Sequence, residues 1–462
     1  MITKSNKKKL KILLLVCDLN KGGVQRTAQN FVDGFKSIGH EPRLIAANQG
    51  GPREEDLKKI DISYWVHLNK KNLRELKEWN PDILILQDCG ITHNQIKILK
   101  ELLVKTIFIE QNTFSIPSKW QYLLDYSFQM TKWCEWKYKR SFKSKNKIVQ
   151  VLPYPIKVSN FYPEKEFSVK ELKKKLKIPE KNIVIGRIGQ SNNGKWSKLL
   201  IKTFDSVSLL FKNLNLVLVN PPDEIILQAK KSKFKKNITI IKKIIGDENL
   251  RKTYSMFDIF ALVADQGESF GHVLAESMLC EVPSVVLSTP WFDNSQVEVV
   301  GHMKGGLVAL SSRGFKSALI EIIKDKELRL KLGKNAEVLS GLRLEEVSAK
   351  SIKAAFDFSG VQGKFQNKRA GSRSESGTIV SLLNELKSLE SQEESQATLV
   401  EDIEASIRYL SNSKLKSLIN KQKGLQSFQF FIPLRGLPSV EVKINELSQM
   451  SRPSGNDEPN PS

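Results

Sequence analysis

Short apolar runs alternate with longer segments whose apolar residues recur at helical spacing. Lys11 to Cys17 is nearly all aliphatic, Gly23 to Ile38 has a helical period, and Pro42 to Ala47, Ile83 to Gln87 and Thr106 to Ile109 are apolar again. Runs of this length without polar alternation mark strands buried on both faces, and the helical stretches between them supply the crossovers of a parallel sheet. The same grammar restarts after Pro153-Tyr154-Pro155, with strands expected at Asn182 to Ile188, Leu214 to Asn220, Ile238 to Ile241, Asp258 to Ala264 and Pro283 to Leu287. The pattern predicts an α/β chain with two Rossmann-like doubly wound domains, residues 1–155 and 156–358. Residues 359–377, rich in Gly, Ser, Lys and Arg, read as a linker. Residues 378–450 carry apolar positions at helical spacing and read as a helical extension, with self-association expected through residues 378–423. Residues 451–462 are Pro, Ser, Asn and acidic residues, the composition of a disordered tail.

Composition narrows this picture in three ways. The 462 residues are 40% hydrophobic and 27% charged, near globular averages, so general disorder is excluded. The net charge of +23 calls for an acidic partner: nucleic acid, anionic lipid or a phosphorylated small molecule. Cys17, Cys89, Cys134 and Cys280 stand far apart with no C-x-x-C, as expected of reduced cytoplasmic thiols. The apolar run Ile12 to Val16 follows basic residues as in a signal peptide, but Asp18 ends it early and a buried first strand accounts for it better. No stretch reaches 18 apolar residues, so membrane contact is expected to be peripheral. Its candidate surface is the segment where Trp133, Trp136, Tyr138 and Phe142 interleave with Lys132, Lys137, Lys139, Arg140, Lys143, Lys145 and Lys147; a helix burying its aromatics explains the same pattern.

Candidate chemistry gathers in four loops. Gly22-Gly23, between the first strand and first helix, allows backbone amides to approach an anion. In the second domain, Gly186-Arg187 precedes Gly194-Lys195, placing two cations where one loop joins strand to helix, a charge pattern suited to a diphosphate. Gly189-x4-Gly194-Lys195 also has P-loop spacing, but Trp196 stands where a P-loop needs a hydroxyl for magnesium. The most specific segment is Asp265 to Glu276, directly after an apolar strand. Glu268 and Glu276 are separated by seven residues that include Ser269-Phe270-Gly271. A helix starting near Gly271 would put Glu268 at its N-terminus and Glu276 more than a turn inside, two carboxylates able to accept hydroxyls with helix amides between them. His272 is a further phosphate-contact candidate at that helix start. Trp291, Asp293, Asn294 and Gln296 form a polar loop after a strand and are secondary candidates.

Over roughly residues 10 to 358 the chain resembles the retaining glycosyltransferases of GT-B fold whose mark is E-x7-E. The resemblance rests on Gly22-Gly23, Asn80-Pro81-Asp82-Ile83, Gly186-Arg187 with Gly194-Lys195, Glu268 and Glu276, Cys280 to Val286, Gly305-Gly306-Leu307-Val308 and Leu328 to Ala336. It implies that Arg187 and Lys195 hold the diphosphate of a nucleotide-sugar donor and that Glu276 binds the ribose. Glu268, with Ser269, Phe270, Gly271, His272 and Val273, would position the sugar and phosphates. It also implies no metal or other cofactor, in accord with the lack of a D-x-D motif, and a glycan or lipid-linked acceptor at the inner face of the membrane. No nucleic-acid partner is expected. Where such proteins often carry first-domain histidines, this chain has Gln87-Asp88 and Glu110-Gln111-Asn112, leaving Gln111 and Asn112 as acceptor-side candidates. A donor-binding protein without efficient transfer and a P-loop NTPase are the alternatives.

Overall fold

The computed structural model describes residues 9–87, 90–141, 148–335, 343 and 345–353. The expected linker 359–377, the helical extension 378–450 and the tail 451–462 lie outside the described residues, as do Asp88, Phe142, Lys143, Lys145 and Lys147.

Two parallel sheets form one compact unit of the chain. The first has seven strands: β1 (Lys11–Asp18), β2 (Glu41–Gln49), β3 (Tyr64–Val66), β4 (Ile83–Gln87), β5 (Ile107–Gln111), β6 (Tyr126–Gln129) and β7 (Ile148–Val151). They lie in the order β3-β2-β1-β4-β5-β6-β7. The second has six: β8 (Ile183–Ile188), β9 (Leu214–Val219), β10 (Ile238–Ile241), β11 (Ile259–Leu262), β12 (Ser284–Leu287) and β13 (Gly306–Ala309), in the order β10-β9-β8-β11-β12-β13. In each sheet the order reverses beside the first strand, between β1 and β4 and between β8 and β11. The loops at the carboxyl ends of those strands diverge there and leave a crevice for ligands.

Burial explains the apolar runs. Every side chain from Ile12 to Val16 is wholly buried. Leu14 and Val16 pack with Phe31 and Phe35 of the helix Gly23–Ser37 on one face, while Leu13 and Leu15 pack with Leu76 and Leu99 on the other. Each such side chain stabilises by about 1.5–3 kcal/mol relative to exposure. The strands β3, β6, β7 and β13 are not among those the apolar pattern predicts. Tyr126-Ser127-Phe128-Gln129 mixes polar and apolar residues, yet its backbone completes the ladder beside β5, with Ile109 opposite Tyr126 and Gln111 opposite Phe128.

After the second sheet the chain returns to the first. Arg343 bridges to Ile156, and in the helical segment 345–353 Val347 is wholly buried against the first domain's core, with Ile352 beside it. No described helix is long and apolar enough to cross a membrane.

Candidate active site

The candidate residues gather where the carboxyl ends of the two sheets face each other. Beyond β8, Asn192 accepts from the Gly194 amide at 2.8 Å and shapes a single tight turn at Asn193–Lys195. The following helix begins only at Leu199, so Lys195 lies in the turn ahead of it and not at its start as expected. Its ammonium reaches back over the crevice to Glu268 Oε2 at 3.0 Å and the Gly267 carbonyl at 3.3 Å.

Arg187 departs further from expectation. It is wholly buried; its guanidinium donates to the carbonyls of Ile188 and Lys195 and stacks on Trp196, 5.0 Å from the ring centre. Burial pushes its pKa down to about 10, with Glu268 opposing that shift. Arg187 thus braces the turn that carries Lys195 from beneath and does not stand beside it as a second exposed cation. Trp196 is itself core, donating its indole N–H to the Gln190 carbonyl at 2.8 Å, so its position offers no ligand where a P-loop hydroxyl would be.

Glu268 is fixed by the loop after β12. Gln296 Oε1 accepts the Glu268 amide at 3.2 Å, and the Glu268 carbonyl accepts from Ser295 N–H at 2.9 Å. Gln296 is anchored in turn on the Leu287 carbonyl and Thr289, and Asn294 accepts from Ser288 and Thr289. The polar loop after β12 therefore positions Glu268 from behind. Gly267 makes this possible: its φ is +65°, and a Cβ there would lie 1.7 Å from the Asp293 carbonyl oxygen. Gly271, at φ +86°, ends the loop and starts the helix His272–Leu279 with no side chain capping its first amides.

First-domain groups close on this helix start. Phe270 and His272 pack against Tyr154, with ring centres 5.3 and 5.1 Å away, and Cys134 Sγ donates to the Ser269 carbonyl at 3.3 Å. His272 Nε2 lies 3.2 Å from Thr27 Oγ1, and its Nδ1 lies 3.8 Å from where a side chain on Gly23 would begin. Burial, reinforced by the charges of Arg26 and Arg53, pushes His272 down to about 3, so the ring is neutral at ordinary pH. The start of the first helix at Gly23 and Thr27 therefore lies close to His272 at the start of the second domain's helix.

Glu276 is buried one turn deeper. Tyr254 donates to its Oε2 at 2.8 Å, and Arg26, from the first turn of Gly23–Ser37, meets its Oε1 at 3.3 Å. Burial pushes the carboxyl up despite these partners. Arg26 also pairs with Asp247 at 3.1 Å. The sequence pattern does not single out Arg26 and Tyr254 as partners of Glu276, or Asp247 as the second partner of Arg26. The one available hint was that Arg26 follows Gly23 by three residues, which returns it to the loop's edge of the helix.

On the acceptor side, Gln111 is the last residue of β5 and donates to the Leu152 carbonyl at 3.3 Å. Asn112 accepts from Ser115 N–H and donates to the Ile116 carbonyl, holding the next loop. Both are wholly buried, and the Gln111 amide oxygen has no hydrogen-bond partner among the described residues. The basic aromatic segment forms the helix Lys132–Ser141, which buries Trp133, Cys134 and Tyr138. The carboxylate of Glu298 from the second domain accepts the amides of Lys132 and Trp133, and Lys137 pairs with Asp293 at 2.8 Å. One face of this helix is therefore an interdomain contact, with Trp136, Lys139 and Arg140 exposed.

Residues 168–338 match the family model described as glycosyl transferases group 1. No curated protein matches the chain in sequence. Among solved structures, Anabaena HepE in complex with UDP and glucose superposes with a TM-score of 0.62 at 14% identity, covering 75% of this chain and 100% of that one. A glycosyltransferase from Rickettsia africae gives 0.62 at 15% identity over 76% and 99% of the two chains. Sucrose-phosphate synthase from Thermosynechococcus elongatus gives 0.58 at 14% over 76% and 100%. The two-sheet layout of this chain is the GT-B fold that the resemblance implied.

Proposed function

We propose that this chain, which carries a group 1 glycosyltransferase domain over residues 168–338, moves a sugar from a nucleoside diphosphate donor to an acceptor hydroxyl with retention of configuration. The observation that carries the reading is the Lys195–Glu268 pair, at 3.0 Å, in the loop that leads to the uncapped start of the His272–Leu279 helix, where His272 lies close to Gly23. A leaving diphosphate there meets an ammonium and two sets of backbone amides, which stabilise the charge that develops as the sugar departs. This set of donors performs the task a divalent ion performs elsewhere, so we expect transfer without added metal. Glu268 accepts hydrogen bonds from sugar hydroxyls and Glu276 from the ribose, each once the partner it holds here is exchanged. Attack from the face that the diphosphate leaves, with a phosphate oxygen taking the acceptor's proton, retains configuration without a protein nucleophile. UDP and UDP-glucose, seen bound to HepE, are the first donors to try.

The proposed acceptor is a glycan or a lipid-linked sugar, met at the inner face of a membrane. The exposed Trp136, Lys139 and Arg140 supply an aromatic and basic edge for contact with anionic lipid. Thermal shift with UDP, GDP and ADP, followed by donor turnover with and without chelator, tests the proposal. Turnover that persists in chelator supports it. Magnesium-dependent ATP hydrolysis without sugar transfer would overturn it, and nucleotide binding with no turnover on any acceptor would leave only the donor-binding alternative.

A further inference from the structure

The carboxylate proposed to take the ribose is occupied by an arginine of the opposite domain. Arg26 bridges Glu276 at 3.3 Å and Asp247 at 3.1 Å, and its guanidinium lies 5.4 Å from the Phe161 ring centre. Tyr254 holds the other oxygen of Glu276, which is only 3% exposed. Asp247 is fixed separately, accepting from Asn160 at 2.8 Å. A ribose can reach Glu276 only if the guanidinium leaves Oε1.

The surroundings say where the displaced charge goes. Arg53 donates to the carbonyls of Asn20 and Gly22, so it occupies the oxygen side of the loop that leads into the helix carrying Arg26. Thr27, the residue after Arg26, lies 3.2 Å from His272 Nε2, which places the Arg26 turn against the start of the His272–Leu279 helix. A ribose on Glu276 carries its first phosphate one methylene away. Resting on the reading of the crevice as a nucleoside diphosphate site, we propose that Arg26 is a second-position ligand: it fills the ribose place in the free protein and moves onto the donor's phosphates when the ribose displaces it. The carboxylates then hold Arg26 ready without leaving a buried charge unpaired, and one side chain from the first domain couples occupancy of the crevice to contact between the domains.

The two halves of this exchange affect different parts of the ligand, so they separate in a binding experiment. Wild-type protein is titrated with UDP, and with GDP and ADP should UDP fail, and then with the matching nucleoside followed by ligand-observed NMR. No binding by any diphosphate sinks the functional reading itself. Where one binds, Arg26→Ala should weaken the diphosphate by about tenfold or more, the scale of a charge-assisted phosphate contact, while tightening the nucleoside. Arg26→Lys should restore most of the diphosphate affinity. A ratio of diphosphate to nucleoside affinity equal to that of wild type would overturn the proposal, because a purely structural arginine alters both ligands together. Should Arg26→Ala fail to fold, Asp247→Asn provides the second arm. It loosens the resting bridge and should tighten the diphosphate by about threefold; unchanged or weaker binding overturns the exchange.

Discussion

Lys195 illustrates how much one residue's role depends on what lies beneath it. Its ammonium is the cation proposed to meet a departing diphosphate, because Arg187 is turned inward under the Lys195 carbonyl. Removing a donor aimed at developing charge costs about 2.7–4 kcal/mol, or 100- to 1,000-fold in rate. Lys195→Ala should therefore lower kcat by that factor while changing donor affinity much less, as steady-state and equilibrium measurements can separate. Wild-type kcat in this variant would remove Lys195 from the chemistry. His272 permits a test by pH. Its pKa falls from about 6.5 unfolded to about 3 folded, so the folded protein binds the proton less well. The stability associated with the neutral ring is complete above pH 6.5 and is lost as pH falls toward 3, at about 1.4 kcal/mol per pH unit. In urea titrations between pH 6 and 4, His272→Gln should flatten the pH slope by about one proton, and equal slopes would contradict the buried neutral ring. At this scale the sequence disclosed that Glu268 lies in the loop before a helix and Glu276 inside it. It did not disclose the turn of Arg187, because position at a strand end does not say which way a side chain faces. Nor did it disclose that Glu276 meets Arg26, since their pairing spans 250 positions and no local pattern encodes it.

Elements place these residues, and the loop after β11 is the one under the tightest steric control. Two positive-φ glycines test this, one crowded and one open. A side chain at Gly267 would collide with the Asp293 carbonyl and Thr289, whereas nothing lies within 4 Å of one at Gly246, whose φ is +85°. Gly246→Ala should cost only the backbone term, about 1–3 kcal/mol. Gly267→Ala should cost more and should also lower turnover, since the Gly267 carbonyl accepts from Lys195 and its neighbour is Glu268. Denaturation midpoints and kcat for the two variants check this; equal losses in both would mean that the loop yields. The long aliphatic strands and their helices were legible because burial on both faces leaves an unbroken apolar run. The strands β6 and β3 were not, since Ser127 and Gln129 join a buried polar group with Glu110 and Tyr64–Val66 is only three residues long. There pairing with a neighbouring strand decides the conformation, and local pattern does not.

The molecule as a whole is held together by segments that leave one domain and pack on the other, and this determines where the chain can be cut. The division into two α/β halves was readable from the restart of the strand pattern. The return of residues 345–353 to the first domain was not, because a short amphipathic segment does not announce which core it completes. Val347 is wholly buried among first-domain residues that include Leu14, Phe31 and Phe35, and its burial stabilises that core by about 1.5–3 kcal/mol. Among the described residues, none of the groups that form the proposed donor face lies beyond Ser295 and Gln296, so the chain after residue 360 should be dispensable for nucleotide binding. Deleting residues 361–462 should leave nucleotide affinity within about twofold of the full chain, RT ln 2 being small beside one hydrogen bond. Deleting residues 336–462 instead removes Val347 and the bridge from Arg343 to Ile156, and should lower stability by at least the Val347 contribution. It should also weaken nucleotide binding, because Arg26 and Thr27 belong to the helix Gly23–Ser37 that Val347 packs against. Calorimetric titration and thermal unfolding of both truncations distinguish the cases. A shorter chain as stable and as tight-binding as the longer one would show that the returning segment rests on the first domain without supporting it.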